Sequence, residues 1–494
     1  MDRRRFLLAG SAVAVLGASG SRLATAAATT PAPTSARPRP SPQQLRWQRE
    51  ELAMFVHLTV NTFTGKEWGD GTESPAIFNP RKLDARQWAR TAKAAGFRSM
   101  ILTAKHHDGF CLWPTATTTH SVASSPWKHG KGDVVREFVD ACHAEGLGAG
   151  LYLSPWDRNA KSYGTGEAYN NFYIAQLTEL LTHYGKIVEV WFDGANGEGP
   201  NGRKQAYDWP RIHATVRRLQ PDAIMFSDAG PDVRWIGDEQ GKAADTCWST
   251  VDPASVPYPG YDRPWVGDLL GHGDPHGSAW RPGESDVSIR PGWFWHADQN
   301  DQVRTPDNLM ALYFSSVGHN SKLLLNVPPN RDGLFESEDI ATLQGFTAQR
   351  EALFAHNLLR GAHVRASSSV APNLPAHVLD ADPDTYWSAA STARDSWLEF
   401  ELPREIEFDT LELGEAIAHG QNIANHLVEH WENDAWKPLC WGTTIGHKKL
   451  TRMDPVRTRK LRLSLEFGYG TPQLARVAAY RGPDHRYGPG HNEK

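Results

Sequence analysis

Cysteine is scarce: four in 494 residues, at positions 111, 142, 247 and 440, with no C-x-x-C among them. No disulfide framework is implied. Long apolar runs are missing as well. The stretch near the N-terminus holds about eleven residues where a bilayer span needs ~20, which excludes a multi-span membrane protein. Charge of one sign is also lacking. Lys plus Arg number 52 against 57 Asp plus Glu, a net charge of −5, so no basic field is available to attract nucleic acid. There is no internal repeat and no G-x-S-x-G elbow for serine hydrolysis. What is there is a globular chain: 40% hydrophobic, 22% charged, mean hydropathy −0.52. It is long enough for a large core. Tryptophan (19) outnumbers phenylalanine (18) and tyrosine (13). Flat indoles suit the apolar faces of sugar rings, and equally fill cores.

The first residues read as an address. Arg3-Arg4-Arg5-Phe6-Leu7-Leu8 leads an apolar run to Leu16, and Ala24–Ala28 offers A-x-A cleavage sites. Residues 1–28 are expected to be a signal peptide resembling the twin-arginine type, with an ordinary secretory signal as the alternative; either route predicts a periplasmic or secreted bacterial protein. Residues 29–44, rich in proline, are expected to be an unpacked linker.

From residue 45 short apolar runs recur at 53–58, 99–103, 147–153, 187–192, 223–227 and 322–327. They read as buried strands. Helical patterns lie between several of them, with Asp84 and Asp133 as N-caps and Gly96 and Gly146 as stops. This alternation predicts an α/β fold, a (β/α)8 TIM-like barrel over residues 45–355, with a doubly wound sheet as the second reading. After a helix near 336–354 the texture changes. Short alternating segments predict a C-terminal β-sandwich over 356–481, and residues 482–494 read as a tail.

In a barrel the site lies where strands end. There the sequence offers His57, followed by Glu67 and Trp68; then His106-His107-Asp108; then Tyr152-Leu153-Ser154; then Trp191-Phe192-Asp193. A satisfied core histidine or an Asp-Gly turn would explain any one of these. Four in register on one edge point to a site. His106-His107 invites a metal, but neighbours on a strand point to opposite sides, so a catalytic metal is not expected. Imidazoles and carboxylates for hydroxyls, with aromatic faces for C–H surfaces, suit a sugar.

Phe55-Val56-His57, KHHDGF (105–110), GDVV (132–135), GLYLSPW (150–156), WFDG (191–194) and LLLNVPPNRDG (323–333) resemble the α-L-fucosidases of glycoside hydrolase family 29. RWIGDEQG (234–241) and WRPGESDVSIRPGWF (280–294) resemble its branch selective for α-1,3/1,4-linked fucose. FVHLTVNTF at strand one, and Asp238, depart from the family pattern. The resemblance implies a retaining enzyme without cofactor, acting on a fucosylated oligosaccharide or glycoconjugate. Asp193 would be the nucleophile, and His57, Glu67, Trp68, His106, His107, Tyr152 and Trp191 would hold fucose. Glu284 and Trp293 are further substrate-binding candidates in the second branch motif. Glu239 is expected to be the acid/base, since the loop after the 223–227 strand reaches the same mouth; Glu284, in a GESD turn, and Glu67 are its competitors. AHVLDADPDTYWSA (376–389) resembles the start of a discoidin-like sandwich, which either binds glycan or buttresses the barrel. Asp380 and Asp382 can there contribute oxygens to a structural Ca2+. A non-catalytic glycan-binding protein, or an exo-glycosidase for another sugar, are the alternatives.

Overall fold

The structure is a computed structural model that describes residues 37–390, 396–467 and 469–482. The expected signal peptide, the first part of the expected linker and nearly all of the expected tail lie outside the described residues. The linker ends earlier than expected. Ser41 caps helix α1 (Pro42–Glu50): its hydroxyl accepts the Gln44 N–H at 3.2 Å, and the Gln44 side chain accepts the Ser41 N–H at 2.9 Å. Proline at the first helical position is a start signal, so Pro42 opens a helix here. Gln44 then donates to the carbonyls of Asp232 and Trp280, both at 2.7 Å, tying α1 to the barrel.

Among the described residues eight parallel strands close a barrel: β1 (Leu52–Val56), β2 (Ser99–Lys105), β3 (Gly148–Leu153), β4 (Glu189–Trp191), β5 (Ile224–Ser227), β6 (Val233–Trp235), β7 (Gly283–Ser288) and β8 (Ser321–Asn326). β1 pairs with both β2 and β8, which completes the ring. Helices α2 (Ala85–Ala94), α3 (Val134–Glu145), α4 (Glu167–His183), α5 (Trp209–Leu219), α6 (Val266–His272), α7 (Pro306–Ser315) and α8 (Ser337–Phe354) follow in order. Asp84 caps α2 through the N–H groups of Arg86 and Gln87, and Asp133 caps α3 through that of Arg136, as the sequence predicts. None of these helices is long and apolar enough to cross a membrane.

Two strands escape the apolar pattern. β6 follows β5 without a helix, within residues 228–232. β7 reads GESDVS and is buried throughout although four of its six residues are polar. The GESD segment, expected to be a turn, is therefore a barrel strand. The interior that accepts it is partly charged. Trp47 enters from α1 and donates to Glu189 at 3.0 Å, Trp191 donates to Glu284 at 3.0 Å, and Lys322 meets Glu50 at 2.8 Å.

Among the described residues seven antiparallel strands form the C-terminal domain: β9 (His363–Ala366), β10 (Trp387–Ser388), β11 (Ser396–Glu415), β12 (Ile423–Glu432), β13 (Ala435–Gly442), β14 (Lys449–Phe467) and β15 (Gln473–Tyr480). Irregularities at 401–406 and 408–410 bend β11, so its first half pairs with β9 and its second with β15. Trp387, Leu398, Phe400, Leu411, Leu463 and Leu465 fill the core between. This domain sits against the barrel's N-terminal end. The N–H of His447 donates to Asn320 just before β8 at 2.7 Å, Lys448 meets Glu51 just before β1 at 2.6 Å, and Ser249 donates to Gln421 at 2.8 Å. Asp380 and Asp382 each use an oxygen within their own turn, towards Thr385 and the Asp384 N–H, and among the described residues no group of three or more His, Cys, Asp or Glu is placed to hold a metal ion.

Candidate active site

A bulge shapes the first half of the pocket. Thr103 pairs with Tyr152, but Lys105 rather than Ala104 pairs with Leu153. The slip turns Lys105 outward, where it binds Asp157 on one side and Gln176 of α4 on the other, each at 2.9 Å. A turn closed by Gly109 N–H to His106 C=O follows at once. The two histidines therefore share one side, with ring centroids 4.2 Å apart. Strict strand alternation, which set them on opposite sides, does not survive a bulge.

Asp193 follows β4. One oxygen accepts the Ala195 N–H at 2.7 Å, and the other accepts the Tyr152 hydroxyl at 3.1 Å, with His107 Nε2 3.7 Å away. The side chain keeps 26% of its surface open, enough for a reacting group. The imidazoles around it are held neutral. Burial pushes His57 down to about 3 and lowers His106 and His107 as well, although Asp193 opposes the fall at His107. Their tautomers follow from their partners. Asn326 spends its amide N–H groups on Ser288 and on the Trp293 carbonyl, so its oxygen accepts from His57 Nδ1 at 2.8 Å. The Ser154 hydroxyl donates to the Trp156 carbonyl and accepts from His107 Nδ1 at 2.7 Å. Nε2 of both rings is thus a lone pair, an acceptor suited to a sugar hydroxyl. Nδ1 of His106 is buried with no hydrogen-bond partner.

Across the mouth, Trp293 joins two acids. Its backbone N–H donates to Glu67 at 2.7 Å and its indole to Glu239 at 3.2 Å. Glu67 also takes His296 at 2.7 Å, so it latches the loop after β7 to the loop after β1. Gly292 permits this approach, because a Cβ there would lie 2.3 Å from the Glu67 carboxylate. Glu239 stands at the solvent-facing rim. Its pKa is raised by desolvation first and by the charges of Asp193, Glu67 and Asp238, while the Trp293 bond pulls the other way. Trp68, 57% exposed, sets its ring edge-on to His107 and Trp156. Trp191 stacks on Phe226 at 4.0 Å and faces Tyr152, but its N–H is taken by Glu284.

Glu284 itself is fully buried inside the barrel and presents no surface to a ligand. A fully enclosed carboxyl cannot bind substrate directly, which corrects the expectation that it would. Sequence reasoning missed Asp286, two residues further along β7. Its carboxylate accepts the Trp235 indole at 2.7 Å, and burial, then Glu239, then Asp193 raise its pKa well above the ordinary carboxylate value. The period-two alternation Glu284, Asp286, Ser288 would have shown it, had the segment been read as a strand.

Comparison with known proteins fits this geometry. The family described as alpha-L-fucosidase matches residues 41–348, and the F5/8 type C domain matches residues 363–474. "Alpha-L-fucosidase 1" of Arabidopsis thaliana is 44% identical over 462 residues, covering 91% of this chain and 89% of its own. The solved structure of a Ruminococcus gnavus GH29 fucosidase in complex with fucose superposes with a TM-score of 0.82 at 33% identity, covering 92% of this chain and 97% of that one. A β/α barrel with carboxylates, imidazoles and indoles gathered at its C-terminal mouth, matched along its length by such relatives, is a glycoside hydrolase. The chain belongs to the α-L-fucosidase family, glycoside hydrolase family 29, and carries a discoidin-like C-terminal domain.

Proposed function

We propose that the protein is an exported, retaining α-L-fucosidase that removes terminal α-1,3/1,4-linked L-fucose from glycans. The observation that carries this reading is Asp193 at the end of β4, partly open, hydrogen-bonded by Tyr152 and faced by His107. Asp193 attacks the anomeric carbon and forms a fucosyl ester, while Glu239 gives its proton to the departing glycosidic oxygen. Glu239, now a carboxylate, takes a proton from water; the hydroxide oxygen attacks the anomeric carbon, releases Asp193 and returns the acid to its starting state. A raised pKa on Glu239 favours the protonated form that the first step needs. The Nε2 lone pairs of His57 and His107 accept hydrogen bonds from sugar hydroxyls, and the exposed Trp68 offers apolar surface to the sugar, while Trp191, stacked on Phe226 and facing Tyr152, backs the pocket wall. Two carboxyls and a water complete the reaction, so it calls for no cofactor. The R. gnavus relative solved with fucose supports the sugar, and the segments 234–241 and 280–294 support the linkage. Residues 1–28 support export to the periplasm or beyond by the twin-arginine route.

Asp193→Ala is expected to lose turnover by at least about a thousandfold, with azide restoring part of it and yielding the fucosyl azide of inverted configuration. Near-wild-type turnover by that variant ends the mechanism. Cleavage of a 2-linked fucosyllactose but not of Lewis-type trisaccharides would remove the linkage assignment and keep the activity. Lys at positions 3 and 4 in place of Arg should block export; unchanged export in a strain lacking the twin-arginine machinery defeats that part.

A further inference from the structure

One segment touches both carboxylate loops. At its first contact the Gly260 N–H donates to Asp228 at 2.9 Å, and an added Cβ on Gly260 would lie 2.5 Å from the carbonyl oxygen of Gly194, the residue after Asp193. At its second, a Cβ on Gly237 would lie 2.5 Å from the carbonyl of Gly267; Gly237 stands two residues before Glu239. Both glycines have positive φ, +79° and +93°, so backbone packs on backbone where a side chain would be strained and would collide. Residues 258–267 thus form a strap from the nucleophile's turn to the proposed acid's loop.

The strap is aromatic. Tyr258 and Tyr261 meet edge-to-face at 5.3 Å, and Tyr261 meets Trp265 at 6.2 Å. Tyr261 packs against the cluster of Ala229, Val256, Val266 and Leu270, as does Trp235 at the end of β6. Its two neighbours are left outside: Tyr258 is 49% exposed and Trp265 47%. Half-exposed rings held by a partly buried third make an apolar patch that a partner would cover.

We propose that Tyr258 and Trp265 form the platform for the leaving-group sugar, stacking on the apolar face of the saccharide from which fucose is cut. This rests on the fucosidase reading, and the direction follows from its chemistry. The leaving oxygen departs towards the acid, so the saccharide behind it emerges on the Glu239 side, where the strap lies. The ring faces select for pyranose units carrying C–H groups on one side and contribute nothing to a substrate whose leaving group is a single atom.

The test compares two substrates on one protein. Wild type, Trp265→Ala, Tyr258→Ala and Trp265→Phe are assayed with α-L-fucosyl fluoride and with a Lewis-type fucosylated trisaccharide. Each alanine variant is expected to lose about tenfold in kcat/KM on the trisaccharide, chiefly through KM. Both should stay within about twofold of wild type on the fluoride, which also reports intact folding, and Trp265→Phe should recover most of the trisaccharide rate. Parallel loss on both substrates, or no loss on the trisaccharide, overturns the proposal. Failure of wild type to hydrolyse the fluoride would instead overturn the fucosidase reading beneath it.

Discussion

Trp235 donates its indole N–H to the Asp286 carboxyl at 2.7 Å, and so holds a buried acid near the exposed Glu239. Burial among carboxylates favours the neutral form of Asp286, and a neutral carboxyl can be replaced by an amide that still accepts from the indole. Asp286→Asn should therefore keep kcat/KM within a few-fold of wild type at pH 6, whereas Asp286→Ala frees Trp235 and should cost about tenfold. An asparagine variant as damaged as the alanine one would show that the charge is needed.

The three acid/base candidates separate by leaving group. Glu239→Ala should lose about 10²–10⁴-fold on a poor leaving group, far less on a good one, together with the basic limb of the pH profile. Glu67→Ala should lower both substrates alike, since Glu67 bonds the N–H of Trp293 and the ring of His296. Glu284→Gln, inside the barrel, should leave the leaving-group dependence untouched. If Glu67→Ala alone shows the leaving-group signature, the roles must be exchanged.

Stability should fall as pH rises from 6.5 to 8. Burial raises Asp108 to about 7, and raises Glu284 and Asp286 well above the ordinary range, while the unfolded chain ionises each near 4. The folded state then binds more protons than the unfolded one, so their contribution is complete below about pH 4 and disappears as pH passes the folded values. The histidines with lowered values, His57 among them, act only below about 6.5 and do not offset this window. Melting temperatures measured across it should decline. Asp108→Asn, able to accept from the Phe110 N–H and to donate to Thr59, should flatten the slope. An unchanged slope refutes the assignment.

Lys448→Met should destabilise the barrel although residue 448 belongs to the sandwich. Glu51 is paired with Lys448 at 2.6 Å and depends on it to stay ionised in a buried setting. His447 and Tyr313 also bond Glu51, so the loss should be about 2–3 kcal/mol. Chemical denaturation followed by barrel tryptophan fluorescence would read it, and a loss confined to the sandwich would argue against coupling.

Six barrel strands were legible because their runs are apolar on both faces, as buried parallel strands are. β6 was not, since three residues carry no period. β7 was not, because its inward side chains are charged and the usual equation of buried with apolar breaks down there. Asp193, His57 and Tyr152 were readable from their positions at strand ends. The bulge at Ala104–Lys105 was not, because it is a matter of register between two strands and leaves no mark in composition. Asp286 was lost with its strand, and the Gly260–Gly194 contact joins residues too far apart in sequence for any local pattern to reveal.

The base of the barrel is completed by residues late in the chain. Gln421, His447, Lys448 and Leu450 bond to groups at Ser249, Asn320, Glu51 and Gly318. During synthesis all eight barrel strands emerge before any of these partners exists. A ribosome passing codon 354 has made the whole catalytic unit with its lower rim still uncapped, Glu51 without its lysine and Asn320 without its backbone donor. The nascent barrel must wait through roughly a hundred more residues, some 5–20 seconds at ordinary elongation rates, before that rim is closed. A chain interrupted in this interval carries every barrel strand and lacks the partners of its lower rim.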